Sequence, residues 1–284
     1  MPECANCVKI IACFTHSISS SRKYNVPIKR KGEFHMSALL EAKEVTKIYA
    51  KAQRPSLNKV SFSVSKSEFI AIMGASGSGK TTLLNVLSTI DIPSSGSITI
   101  DGINIKNLTD SGAADFRRDK LGFIFQEYLL LDSLTIFENI AVPLTLQKLP
   151  PEKIENMVKS LAETFGIDSQ LNKYPNELSG GQRQRASALR AIVKRPSILF
   201  ADEPTGALDS NSATDLLNTL KESNKALDTT ILMVTHDAYA ASFADRILIF
   251  KDGRIIRELF KQNDDRRTFY ESIALEVAKL DTER

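Results

Sequence analysis

Gly74-Ala75-Ser76-Gly77-Ser78-Gly79-Lys80-Thr81 satisfies G-x-x-x-x-G-K-[ST] in full, and these residue types suit a polyphosphate. Glycines let a backbone wrap around a phosphate with its N–H groups pointing inward. A following helix adds positive potential at its N-terminus. Lys80 supplies a point charge to β- and γ-phosphates, and the Thr81 hydroxyl suits Mg²⁺. A second constellation is Ile198-Leu-Phe-Ala-Asp202-Glu203-Pro204, an apolar run that ends in two acids. Buried carboxylates without partners are costly. Alone, the pair reads as a strand entering an acidic surface turn. Beside a complete phosphate loop it reads as Asp202 holding Mg²⁺ through its water shell, with Glu203 orienting or deprotonating an attacking water.

The elements that must position these groups follow from hydrophobic patterning. Phe69–Met73 is continuously apolar, as expected of a strand buried on both faces, and Thr82–Leu87 reads as the helix after the loop. Val60-Ser-Phe-Ser-Val64 alternates with period two, the sign of a half-exposed strand. Pro93-Ser-Ser-Gly96 reads as a turn before a strand at Ile98–Ile100, which runs into an Asp101-Gly102 turn. From about Glu127 to Leu178 the strand signal disappears. Ile154, Met157, Val158, Leu161 and Phe165 have helical spacing after a Pro150-Pro151 helix start. Strand-like runs return at Ile198–Phe200, Ile231–Val234 and Ile247–Phe250. The expectation is an α/β parallel-sheet domain interrupted by a helical insertion.

The 284 residues are 42% hydrophobic, ordinary for a folded protein and too high for disorder. No apolar run approaches the ~20 residues that a bilayer-spanning helix needs. All three cysteines and two of the three histidines precede Met36, together with six Lys/Arg against two Asp/Glu. The body from Met36 onward therefore holds 31 basic and 32 acidic residues, which argues against a nucleic-acid footprint. Its lack of cysteine suits a reducing compartment. Cys4-x-x-Cys7 has the form of half a zinc site, but no second ligand pair with metal spacing follows. Residues 1–35 fit a secretory signal poorly, because Lys9 breaks the brief apolar patch at Val8–Phe14. Codons for Lys31-Gly32-Glu33 can contain a purine-rich ribosome-binding sequence just upstream of Met36. Residues 1–35 are thus expected to be an extension outside the native chain.

Leu178-Ser179-Gly180-Gly181-Gln182 lies before a long helix, read as Ala186–Val193, and before the Asp202 strand. With this motif, in this order, the chain resembles the ATP-binding subunit of an ABC transporter over essentially Leu39 to Leu259. The resemblance implies a P-loop NTPase (RecA-like) α/β core with an antiparallel β subdomain and an inserted α-helical subdomain at about 127–195. The domain would occupy 36–262, followed by a helical tail at 263–284, where Phe269, Ile273, Val277 and Leu280 share one helical face. Tyr49 resembles the aromatic that stacks on adenine; its alternative is a strand tyrosine against the core. Gln126 resembles the glutamine that reaches Mg²⁺ and the water. Asp209, in Ala207-Leu208-Asp209, resembles part of a loop touching the opposite subunit's site. His236 resembles the histidine that contacts the γ-phosphate, and a strand's carboxyl end is where α/β sheets place ligands.

The implied cycle needs a second copy of the chain. ATP would lie between the phosphate loop of one copy, with Thr82 beside it, and Ser179–Gln182 of the other. A separate membrane permease would be the driven partner, so the chain would sit at the cytoplasmic face of the membrane as a peripheral subunit. Arg117-Arg118, Leu129–Thr135, Pro204–Asp209 and the Phe260–Tyr270 tail resemble the group of bacitracin-type antimicrobial-peptide transporters, lipoprotein-releasing complexes and macrolide exporters. The tail leans toward the antimicrobial-peptide members, and a sensor-kinase association stays open for these. Of other classes, a DNA-repair ABC ATPase would need a coiled-coil or zinc insertion, and a translation factor would carry two cassettes. A small-molecule kinase would have no reason for Ser179–Gln182. A silent regulatory subunit would not need Glu203 and His236.

Overall fold

The computed structural model describes residues 38–50, 54–261 and 265–282; the expectations placed on residues 1–35 lie outside them. Two sheets carry the molecule. β1 (Leu40–Lys47), β2 (Leu57–Val64), β4 (Ser95–Ile100) and β5 (Ile103–Asn104) form an antiparallel sheet in the order β2-β1-β4-β5. β3 (Phe69–Met73), β6 (Leu121–Ile124), β7 (Ile198–Asp202), β8 (Thr230–Thr235), β9 (Arg246–Lys251) and β10 (Arg254–Phe260) form the second, in the order β10-β9-β3-β8-β7-β6. The five strands from β9 to β6 run parallel, and β10 closes the edge antiparallel to β9.

Every residue of β3 and β8 is buried, as the continuous apolar runs require. Alternation nevertheless sorts these residues between two cores. Phe69, Ala71, Met73, Ile231 and Met233 face the helical side. Ile70, Ile72, Leu232 and Val234 pack with the antiparallel sheet and with α1 (Lys80–Leu87). The Asp101-Gly102 turn joins β4 to β5 as expected, with both residues at positive φ.

The start of β4 differs from expectation: Ser95 and Gly96 belong to the strand rather than to a turn before it. Gly96 sits at φ +87, where a Cβ would lie 2.5 Å from the Glu44 carbonyl oxygen. It lies beside the register shift between Lys43 and Thr46 in the β1–β4 ladder. The glycine marks a kink within the sheet, not its end.

α2 (Asp110–Lys120) leads into β6, and three helices separate β6 from β7: α3 (Ile136–Leu146), α4 (Pro151–Thr164) and α5 (Gly180–Ile192). Thr135 and Glu138 form a capping box at the start of α3, and Pro151 opens α4, where its missing N–H costs nothing. Ile154, Val158, Leu161 and Phe165 are buried, as their spacing predicted. α5 begins six residues before the expected helix, so Gly180–Gln182 is its first turn rather than a segment preceding it. The cause is local: Ser179 Oγ accepts from Gln182 N, and Gln182 Oε1 accepts from Ser179 N, a reciprocal cap that outweighs two glycines.

α6 (Ser210–Leu227) and the single turn α7 (Ala238–Ala241) follow β7 and β8, and α8 (Arg266–Thr282) ends the described chain. Phe269 and Ile273 of α8 are 3% and 0% exposed, with Val277 packed beside them; Leu280 lies outside the described side chains. Each such side chain contributes about 1.5–3 kcal/mol by burial. Among the described residues, no helix is long and apolar enough to cross a membrane.

Candidate active site

Sheet order assembles the site. Reading β3-β8-β7-β6, the strands' carboxyl ends deliver in turn the Gly74–Gly79 loop, His236, Asp202 with Glu203, and Gln126. Register keeps them level, since Met73 pairs with Thr235, Asp202 with Val234, and Ile124 with Ala201. A cleft of about 630 Å³ opens there, walled by Ala75–Gly77, Gly79–Thr82, Gln126, Asp202, Glu203 and His236. A parallel sheet places ligand sites at this edge.

Gly79 caps α1 in the left-handed region at φ +106, with no side chain accepting from the first turn. A Cβ there would lie 2.3 Å from the Ser56 carbonyl oxygen, so only glycine fits. The first-turn N–H groups are left to an anion. Lys80 opens α1 at 7% exposure. Its Nζ donates to the Gly74 and Ala75 carbonyl oxygens at 2.7 and 2.9 Å. Burial pushes the Lys80 ammonium pKa down, while Glu203 and Asp202 oppose that shift.

Burial raises the Asp202 carboxyl, the Glu203 charge raises it further, and Lys80 opposes both. Glu203 stands in the left-handed region at φ +46, an uncommon conformation for a residue other than glycine. Its backbone N–H donates to the Val234 carbonyl at 2.9 Å. One carboxylate oxygen accepts from Thr235 Oγ1 at 3.2 Å, and the other lies 2.8 Å from His236 Nδ1. The His236 side chain is 69% exposed and that of Glu203 18%. The imidazole thus reaches into the open cleft from a held carboxylate.

Among the described residues, no cluster of three His, Cys, Asp or Glu side chains forms a metal cage. The donors that meet in the cleft are the Thr81 hydroxyl, the Gln126 amide and the Asp202 carboxylate. All offer oxygen. Such a set fits a hard cation that takes most of its ligands from water and phosphate.

Not every expected residue lines this cleft. Gly74 and Ser78 line a neighbouring cavity of about 460 Å³. Tyr49 follows the end of β1 and is 40% exposed, so it is no strand tyrosine of the core. Its hydroxyl donates to Asp91 Oδ2 at 2.8 Å, and Lys47 Nζ stands 4.9 Å from its ring centroid. Ser179, Gly180, Gly181, Gln182 and Asp209 form a second, separate group. Asp209 caps α6, accepting from the N–H groups of Asn211 and Ser212, and those bonds hold its carboxyl below the usual range. A Cβ on Gly181 would stand 2.8 Å from Ser212 Oγ, the hydroxyl that also donates to Asp209. The first turn of α5 therefore packs directly onto the first turn of α6. Sequence reasoning missed Ser56, which walls the cleft and carries no signal, and Thr235, a hydroxyl in an apolar strand immediately before His236.

Residues 57–206 match the ABC transporter family. The chain is 52% identical over 238 residues to the bacitracin export ATP-binding protein BceA of Halalkalibacterium halodurans, covering 83% of this chain and 94% of that protein. It is 47% identical over 239 residues to the ABC transporter ATP-binding protein YxdL of Bacillus subtilis, covering 84% and 93%. Among solved structures it resembles the dimeric bacterial ABC transporter cassette MJ0796, with a TM-score of 0.73 and 36% identity, over 79% of this chain and all of that one. A post-hydrolysis form of the same cassette bound to ADP and Pi aligns with a TM-score of 0.71. The phosphate loop, the acidic strand end and the capped α5 turn thus stand in one cassette, and the chain belongs to the ABC transporter family as an ATP-binding, ATP-hydrolysing subunit.

Proposed function

We propose that two copies of this chain enclose two ATP molecules and power a separate permease that exports antimicrobial peptides of the bacitracin type, or removes them from their site of action. The observation that carries the reading is the separation of two half-sites on one chain. The Lys80–Glu203–His236 cleft and the Ser179–Gln182 turn are distinct surfaces, so each needs the opposite surface of a second copy. The turn offers a γ-phosphate a second set of donors from the opposite side: a serine, two glycine N–H groups and a helix N-terminus. The dimeric cassette of similar fold supports that pairing.

In this reading the Gly74–Gly79 backbone and Lys80 grip the phosphates, and Tyr49 offers adenine the ring face that Lys47 leaves open. Thr81, Gln126 and Asp202 would hold Mg²⁺, which would supply charge neutralisation to the phosphates. Glu203 orients or deprotonates the attacking water, His236 contacts the γ-phosphate, and Asp209 approaches the partner's site. The cassette spans 36–262, with the tail helix as an addition to it. The subunit docks at the cytoplasmic face of the membrane, where a sensor kinase can share the same permease.

The similarity to the bacitracin export protein supports the peptide cargo. A macrolide export ATP-binding/permease protein of Vibrio parahaemolyticus, 44% identical over 202 residues that make up 71% of this chain and 31% of that one, supports macrolide export as the second reading. Reconstitution in lipid vesicles with the membrane permease that the chain drives separates the two. Stimulation of ATP hydrolysis by bacitracin-type peptides is the expected result. Stimulation by macrolides or lipoproteins alone overturns the cargo assignment.

A further inference from the structure

Gln184 lies one turn beyond the cap of α5 and is 0% exposed. Its Nε2 donates to two backbone carbonyls that come from different strands' ends: Phe125 O at 3.2 Å and Pro204 O at 2.7 Å. Phe125 immediately precedes Gln126, and Pro204 immediately follows Glu203. The amide orientation is unambiguous, because the reverse would set an oxygen against two carbonyls; Oε1 itself has no partner. Three residues on along the same face, Ser187 Oγ donates to Tyr128 O at 2.8 Å, and Arg190 reaches Tyr128 O and Leu129 O. Those bonds hold only the segment after β6. Of the three side chains, Gln184 alone ties that segment and the end of β7 to α5.

We propose that Gln184 is a positioning residue that holds Gln126 and Glu203 in fixed relation to the Ser179–Gln182 turn of their own chain. It rests on the roles proposed above for Gln126 and Glu203. When the α5 turn seats on the nucleotide of a second copy, any shift of α5 passes through one buried amide to both groups that face this chain's own nucleotide. The two half-sites of a chain are thereby linked through a group that touches neither nucleotide. Removing its two donors strips the buried Pro204 carbonyl of the side-chain donor it has, leaves the Phe125 carbonyl only the 3.4 Å bond from the Tyr128 N–H, and loosens both strand ends. Small displacements of this kind cost rate more than binding.

The test is a donor series in the full chain: native Gln with two N–H donors, Gln184→Glu with one, and Gln184→Met with none at similar volume. Burial against two carbonyls keeps the Glu carboxyl protonated, so it retains a single donor. The expected result is a kcat about tenfold or more below native for Gln184→Met, with Gln184→Glu between, while KM stays within about threefold. Equilibrium binding of a fluorescent ATP analogue to the single chain should likewise stay within about threefold, since the phosphate loop is untouched. A kcat for Gln184→Met within about threefold of native overturns the proposal, as does a loss of binding equal to the loss of rate. Failure of both variants to fold, by circular dichroism, also overturns it and leaves Gln184 a packing residue. Glu203→Gln is measured in parallel. Normal turnover in that variant removes the Glu203 assignment itself, whereas an inactive Glu203→Gln beside a fully active Gln184→Met removes only this proposal.

Discussion

Glu203→Gln exchanges one carboxylate oxygen for an amide nitrogen in a side chain of the same size. Thr235 Oγ1 donates to one oxygen of Glu203, and His236 Nδ1 lies 2.8 Å from the other. A glutamine can keep both contacts, accepting from Thr235 with its oxygen and donating to an unprotonated Nδ1 with its nitrogen. The backbone at φ +46 and its bond to Val234 are unaffected by side-chain identity. Position is therefore conserved and only basicity is lost. A general base contributes about 10²–10⁴ in rate, equivalent to roughly 2.7–5.5 kcal/mol of barrier. Fold stability should change by less than about 1 kcal/mol, a melting shift of no more than ~4 °C in a chain of this size. Steady-state phosphate release should fall about 10²-fold or more, while ATP binding persists and sedimentation shows an ATP-dependent dimer that no longer dissociates. Phosphate release within about fivefold of native, with the dimer turning over normally, would refute the assignment of Glu203 as the base.

Asp202→Asn tests the electrostatics of the cleft. Burial and the neighbouring Glu203 raise the Asp202 carboxyl against the pull of Lys80, so the folded chain holds that proton more tightly than the unfolded chain does. The group's stabilising contribution is complete below the ordinary Asp value of ~3.9 and is lost as pH rises through the raised value. The nucleotide-free Asn variant should then melt higher than native at neutral pH, with the gain shrinking as acid is added; equal melting at neutral pH contradicts this. Ser179→Arg removes the α5 cap and should cost about 0.5–2 kcal/mol. It should spare single-chain ATP binding yet abolish ATP-dependent dimerisation in sedimentation, and a dimer of normal affinity would remove the turn from the interface. Ile273→Ala empties a fully buried site under α8 at a cost of about 2–5 kcal/mol. Its melting temperature should drop by on the order of 10 °C, and an unchanged value would mean that the tail helix is not part of the core.

Legibility followed locality. The phosphate loop reads from the chain because strand, turn and helix are contiguous from Phe69 to Leu87, and its apolar and glycine signals need no distant partner. The buried strands at Ile198, Ile231 and Ile247 were legible for the same reason. The start of α5 was not. Gly180-Gly181 is a poor helix start by propensity, and what makes it helical is the Ser179–Gln182 cap together with the seat that Ser212 gives Gly181. Ser95 and Gly96 misled in the opposite direction, as turn residues drawn into a strand by the β1 kink. Tyr49 was matched by motif, but the Asp91 carboxylate that holds its hydroxyl lies forty-two residues away and gives no local signal.

By itself the amino-acid order determined the short-range chemistry: which residues can grip phosphate, which strand ends in acids, where a serine caps a helix. Those properties reside in neighbouring dihedral angles and in the spacing of apolar residues, so a few turns of chain are enough to express them. Only tertiary structure decided that β8 lies between β3 and β7, which places His236 against Glu203, and that Gln184 spans two strand ends. Both depend on pairings such as Phe69 with Ile231, made across more than a hundred residues. Such contacts are selected by burial of a whole sheet face and leave no signature within either segment.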